Sequence, residues 1–150
     1  MKFFRIVDNR LVESGSRDGN IVVAITPDDN DRVFLQEQFN LDDYDLASTL
    51  DADEVPRLDV SNGHLLLIWK IPLTATVSET VELGVSVTGI CLIQDRLALV
   101  RASGDSPLTD REFRSVRDPR DTMLTLLLLT VRHFVNMVSR GSRTDRNSRS

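Results

Sequence analysis

The sequence predicts an α/β fold: a mixed β-sheet of about six or seven strands sandwiched between helices, ending in the start of a long C-terminal helix. Three observations carry this reading. Residues 21–26, 65–69 and 85–93 are aliphatic and β-branched runs too continuously apolar for a sheet with one face in water. Between them lie acidic segments with helix-start chemistry. A leucine-rich stretch, MLTLLLLTVRHFVNMV at residues 123–138, closes the chain's apolar content.

The elements follow in order. KFFRIVD and RLVESGS, broken at Asp8-Asn9, read as a hairpin. IVVAIT follows Asp18-Gly19-Asn20 and reads as a buried strand. Thr26-Pro27-Asp28 then opens a helix, with Thr26 as cap and Pro27 in the first turn; Val33, Phe34, Leu35 and Phe39 form its apolar side. Residues 42–50 make a second short helix with Leu41, Tyr44 and Leu46 facing inward. Strands at 57–60 and 64–71 join through Ser61-Asn62-Gly63, a strong hairpin signal. Residues 74–80 read as a polar loop, and 81–94 with 97–102 as a further hairpin around Asp95-Arg96. After Gly104-Asp105-Ser106-Pro107, Asp118-Pro119 caps and opens a helix running to about Ser139. This helix is apolar nearly all round up to Val131, the pattern of a helix covered on several sides. Its apolar run is too short for a bilayer and is interrupted at Arg132 and His133.

One domain is expected at residues 1–140, with a basic end at 141–150 that reads as disordered or as a truncated helix end. A single cysteine, Cys91, cannot form an internal disulfide, which fits a reducing compartment, and MKFFRIVDNR does not read as a signal peptide. The net charge of −5 hides an asymmetry. Residues 1–110 carry 19 acidic and 9 basic side chains, and residues 111–150 carry 4 and 9. The basic end lacks interleaved aromatics and adjoins an acidic domain, so nucleic acid is not the expected partner.

Nothing in the sequence argues for an enzyme: there is no GxSxG, no phosphate-binding glycine loop, and no metal-ligand spacing around His64 or His133. Cys91 lies in an apolar strand, where a thiol behaves as a small hydrophobe. The one candidate for chemistry is an acidic cluster. Asp42, Asp43, Asp45, Asp51, Asp53, Glu54 and Asp59 lie close together, with Arg57 the sole basic residue among them. Carboxylates suit hard cations such as magnesium, and a solvated acidic helix face explains the same residues without a ligand.

The segment FNLDDYDLASTLDADEVPRLDVSNGHLLLIWKIPL, residues 39–73, resembles the cytosolic (funnel) domain of the CorA family of magnesium and divalent-cation channels. The residues that carry the resemblance are Phe39, Leu41, Leu46, Leu50, Asp51, Pro56, Arg57, the run Leu65 to Trp69, and Pro72: a short acidic helix, a Pro-Arg break, then paired strands ending in an apolar run. Weaker likenesses extend it over roughly residues 20–140. The resemblance implies a regulatory domain on the cytoplasmic face of the cell membrane that senses cations and gates a pore. It also implies copies of the chain as partners, a homo-oligomer that is pentameric in the full-length transporter, with no direct membrane contact by this part. The chain holds no Gly-Met-Asn signature and no membrane span, so it is not expected to transport alone. The family's regulatory aspartate position falls on Ser48, which leaves Asp45 and Asp51, each about one helical turn away, as the implied Mg2+ ligands. A stand-alone α/β interaction or scaffold module without an ion role is the alternative.

Overall fold

The computed structural model describes residues 1–148 except 62, 74–75, 78–79, 82–83 and 110, with the backbone alone described at 72–73, 76–77, 80–81, 84, 137 and 140–148. Seven strands form one mixed sheet in the order β2-β1-β3-β9-β8-β5-β4. They are β1 (Lys2–Val7), β2 (Arg10–Ser14), β3 (Ile21–Ile25), β4 (Arg57–Ser61), β5 (His64–Leu73), β8 (Gly84–Ile93) and β9 (Arg96–Arg101). A separate short pair, β6 (Thr76–Val77) and β7 (Thr80–Val81), occupies the stretch read as a polar loop and reaches Val81, read as the start of the next strand; residues 74, 75, 78 and 79 of the loop reading and 82–83 of the strand reading fall outside the described ones. Strands β3 and β9 run parallel, and the other neighbours are antiparallel.

Turn chemistry sets the hairpins. Asp8 and Asn9 both take positive φ, 52° and 61°, the two-residue turn whose twist matches the flanking strands. Gly63 supplies positive φ between β4 and β5. Along β5 the pleat separates two layers. Leu66 and Ile68 are fully buried with Val22, Ala24, Cys91, Ala98 and Val100 under helices α1 (Asp29–Phe39) and α2 (Asp43–Thr49). Leu67, Trp69 and Ile71 face the opposite layer, where Ile21, Val23, Ile90, Leu97 and Leu99 pack under a 3-10 turn (Arg111–Arg114) and α3 (Pro119–Ser148). The sheet is therefore covered on both faces, as its apolar runs require.

Several readings of the helices are corrected. Thr26 does not cap α1. It sits at φ 51° and is tied to β9, its N–H donating to the Arg101 carbonyl and its hydroxyl to that of Ala102, both at 2.8 Å. Asp28 caps instead, in a capping box with Asp31. Val33, read as part of the apolar side of α1, is 49% exposed. Tyr44, read as inward-facing, is 67% exposed. On α3 the sheet covers one face only: Thr122, Leu126, Leu129 and Thr130 are buried, while Leu124, Leu128 and Val131 stand about half exposed. The helix also continues past Ser139 to Ser148. Its start is as expected, with the Asp118 carboxylate accepting from the Asp121 N–H at 2.8 Å. No helix among the described residues is long and apolar enough to cross a membrane.

Candidate functional site

The acidic segment folds as α2, its flanking turns and β4. Asn40, at φ 53°, ends α1 in the left-handed conformation and turns the chain directly into α2. Asp42 caps α2: its carboxylate accepts from the Asp45 N–H at 2.7 Å, and the Asp42 N–H donates to the Asp45 carboxylate at 3.2 Å. Asp42 and Asp45, two of the seven clustered carboxylates, are thus the Asp-x-x-Asp pair of a capping box.

Asp45 is 4% exposed. Burial pushes its carboxyl above the ordinary range, and the neighbouring Asp42 charge adds to this, against the Asp42 N–H and His64, which favour the ionised form. Asp51 is exposed and accepts from the Asp53 N–H at 2.9 Å, closing the turn after α2. Asp42 and Asp43 are exposed, and Asp43 accepts from the Gln36 amide at 2.6 Å, linking α1 to α2. Among the described residues, no three of His, Cys, Asp or Glu are grouped to hold a metal ion. A chelating site within one chain therefore does not fit these side chains: one implied ligand is buried in a cap and the other closes a turn.

Arg57 organises this region, although the sequence reading gave it no role. Its Nη2 donates to the Ser48 hydroxyl at 3.1 Å, and its Nη1 donates to the Tyr44 hydroxyl at 3.1 Å and pairs with Glu54 at 3.3 Å. The guanidinium also lies over the Tyr44 ring, 5.1 Å from its centroid. Tyr44 thus packs on Arg57 rather than in the core. The sequence signal was the charge count, since Arg57 is the one cation amid seven carboxylates.

Behind α2 lies a second polar contact. His64, 2% exposed, has Nδ1 3.0 Å from the Phe39 carbonyl; a carbonyl only accepts, so Nδ1 carries the proton. The Cys91 thiol donates to the same carbonyl at 3.7 Å. Burial, with Asp45 nearby, pushes the Cys91 pKa up to about 12. Both side chains satisfy the last turn of α1, and Cys91 sits in the core as the small hydrophobe its apolar strand implied.

No family model and no curated protein matches the chain by sequence. Solved structures do match. The complete CorA magnesium transporter from Methanocaldococcus jannaschii superposes with a TM-score of 0.65 at 18% identity, covering 95% of this chain and 47% of that one. The fold is that of the CorA soluble domain. The soluble domain of the same CorA aligns over 97% of this chain and 62% of that one at 18% identity, TM-score 0.60. The cytoplasmic domain of ZntB from Vibrio parahaemolyticus aligns over 93% and 62% at 7% identity, TM-score 0.63. The chain thus spans about half the length of the complete CorA. Within this CorA-type fold, Ser48 is 4% exposed and holds Arg57, so the position implied for an aspartate is occupied by a hydroxyl facing a guanidinium.

Proposed function

We propose that this chain is the soluble, non-enzymatic domain of a CorA-like magnesium or divalent-cation channel. It lies on the cytoplasmic side of the membrane, where it senses cations and biases the pore without conducting ions itself. The observation that carries this is the completeness of the match: nearly the whole chain follows the soluble part of CorA, while only about half of the complete transporter is covered.

In this reading the chain works as one copy in a homo-oligomer, a pentamer in the complete transporter. Magnesium binds weakly and mostly hydrated, because one short helix cannot surround an octahedral ion. Asp51 and Asp45 contribute one side of a shared site, Asp42 and Asp43 set the local potential, and a second copy supplies the remaining ligands. The exposure of Asp51, Asp42 and Asp43 supports a shared rather than an enclosed site. The test is a chimera in which this chain replaces the soluble domain of the Methanocaldococcus jannaschii CorA. Uptake of Mg2+ that is throttled by magnesium on the chain's side supports the proposal, and uptake indifferent to that magnesium overturns it.

A further inference from the structure

The face of the sheet turned toward α3 is built in rows of residues directly opposite one another across β5, β8, β9 and β3. Leu65, Leu92, Leu97 and Ile21 form one row, and Leu67, Ile90, Leu99 and Val23 the next. Both are aliphatic throughout. The third row is Trp69, Thr88, Arg101 and Ile25, and it breaks the pattern. Thr88 is wholly buried there, and Arg101 is 4% exposed.

Three polar atoms in this row have no hydrogen-bond partner and are closed to water: Trp69 Nε1, Thr88 Oγ1 and Arg101 Nε. For Trp69 and Thr88 that atom is the only polar one the side chain has. Arg101 donates through Nη1 to the Asp105 carbonyl. Burial pulls its pKa below the ordinary arginine value, against the nearby Asp105 charge. The other buried unpartnered atoms among the described residues, on Arg57 and His64, belong to side chains held through their remaining nitrogens. A polar group buried without a partner forfeits the bonds it makes to water in the open chain, and a guanidinium forfeits most. Closing a layer over this row is therefore opposed at three neighbouring places. The layer itself brings few large side chains to offset that: Thr122 and Thr130 stand among the buried residues of α3, their hydroxyls bonded within the helix. On the other face, Leu35, Phe39 and Leu46 seat α1 and α2 on the sheet.

We propose that the Trp69–Thr88–Arg101 row is a wettable joint along which the layer of the 3-10 turn and α3 lifts from the sheet, opening as a unit of its own while the α1–α2 layer stays closed. Water admitted at the joint satisfies all three groups at once, which lowers the free energy of opening there relative to the aliphatic rows. The joint is independent of the cation-sensing reading, because none of its residues belongs to the α2–β4 region.

The test uses the whole chain without denaturant. Trp69 is its only tryptophan and Cys91 its only cysteine, one on each face of the sheet. Hydrogen exchange of the Trp69 indole N–H, followed by NMR, reads opening at the row, and thiol labelling of Cys91 reads opening of the α1–α2 layer. The row is expected to open at least about ten-fold more often than the Cys91 side. Thr88→Val keeps the shape of the side chain and removes one unpartnered group, so it should lower opening at the row about ten-fold. Equal opening on the two faces overturns the proposal, since the domain then opens as one unit. So does indole exchange that Thr88→Val leaves unchanged or speeds, because the unpartnered row then does not set the opening.

Discussion

Thr49 packs on the bare backbone of Gly89: a Cβ added to Gly89 would lie 2.2 Å from the Thr49 methyl and 2.7 Å from its Cβ. Both residues are fully inside, Thr49 at the end of α2 with its hydroxyl donating to the Leu46 carbonyl at 2.8 Å, Gly89 in the middle of β8. The missing side chain in β8 is what lets the acidic helix rest directly on the sheet.

Gly89→Ala should therefore destabilise the domain by about 1–3 kcal/mol, the usual cost of overpacking a close contact. Thr49→Ala in the same chain should return part of that loss. A double-mutant cycle from urea denaturation measures it, and strictly additive effects would show that the two positions do not meet.

Arg57→Met should loosen α2 from β4 and cost about 1–2 kcal/mol, because it removes the donors to Ser48 and Tyr44 and the pair with Glu54. Arg57→Lys should recover little of this, since one ammonium cannot reproduce the planar fork that reaches Ser48 and Tyr44 together. Denaturation midpoints of the two variants decide it, and a lysine variant as stable as the parent would refute the fork.

The Asp45 carboxyl has a definite sign of pH dependence. Its value is raised in the fold and ordinary, 3.8, in the unfolded chain, so the folded state holds the proton more tightly. Its contribution is fully present below 3.8 and is lost as pH climbs through the raised folded value. Asp45→Asn keeps an oxygen to accept the Asp42 N–H but cannot ionise. Relative to the parent, the variant should gain stability as pH rises through that window, and parallel stability curves would contradict this.

Cys91, with its pKa near 12 and no exposed surface, should resist thiol reagents at neutral pH in the folded protein and react once denaturant opens the core. The labelling rate against urea then reports opening of the α1–α2 layer. Immediate stoichiometric labelling without denaturant would show that this layer is open in the native state.

Magnesium should stabilise the isolated chain only weakly. At a concentration near the dissociation constant the gain is about 0.4 kcal/mol, a small shift in Tm. A large saturable rise in Tm that survives Asp45→Ala and Asp51→Ala would locate the cation elsewhere.

Much of the architecture was legible locally. The Asp8-Asn9 turn, the Gly63 hairpin, the apolar runs of β3, β5 and β8, and the Asp118-Pro119 start of α3 are short-range signals. Each depends on residues adjacent in the chain, so each survives being read without its neighbours in space. The order of α2, Pro56-Arg57 and the β4–β5 pair likewise carried the resemblance that the superposition on the CorA soluble domain bears out.

What only the tertiary structure decided are the contacts between distant segments. Thr26 had the chemistry of a cap, but β9 lies alongside and holds its N–H and hydroxyl, so Asp28 starts the helix instead. Tyr44 had the spacing of a core residue and became the platform for Arg57. The leucine-rich α3 had apolar residues all round, but one sheet covers only one face of a helix, and the second stripe remains in solvent. Periodicity fixes which residues share a face; what that face meets depends on chain packed from elsewhere, which no local pattern encodes.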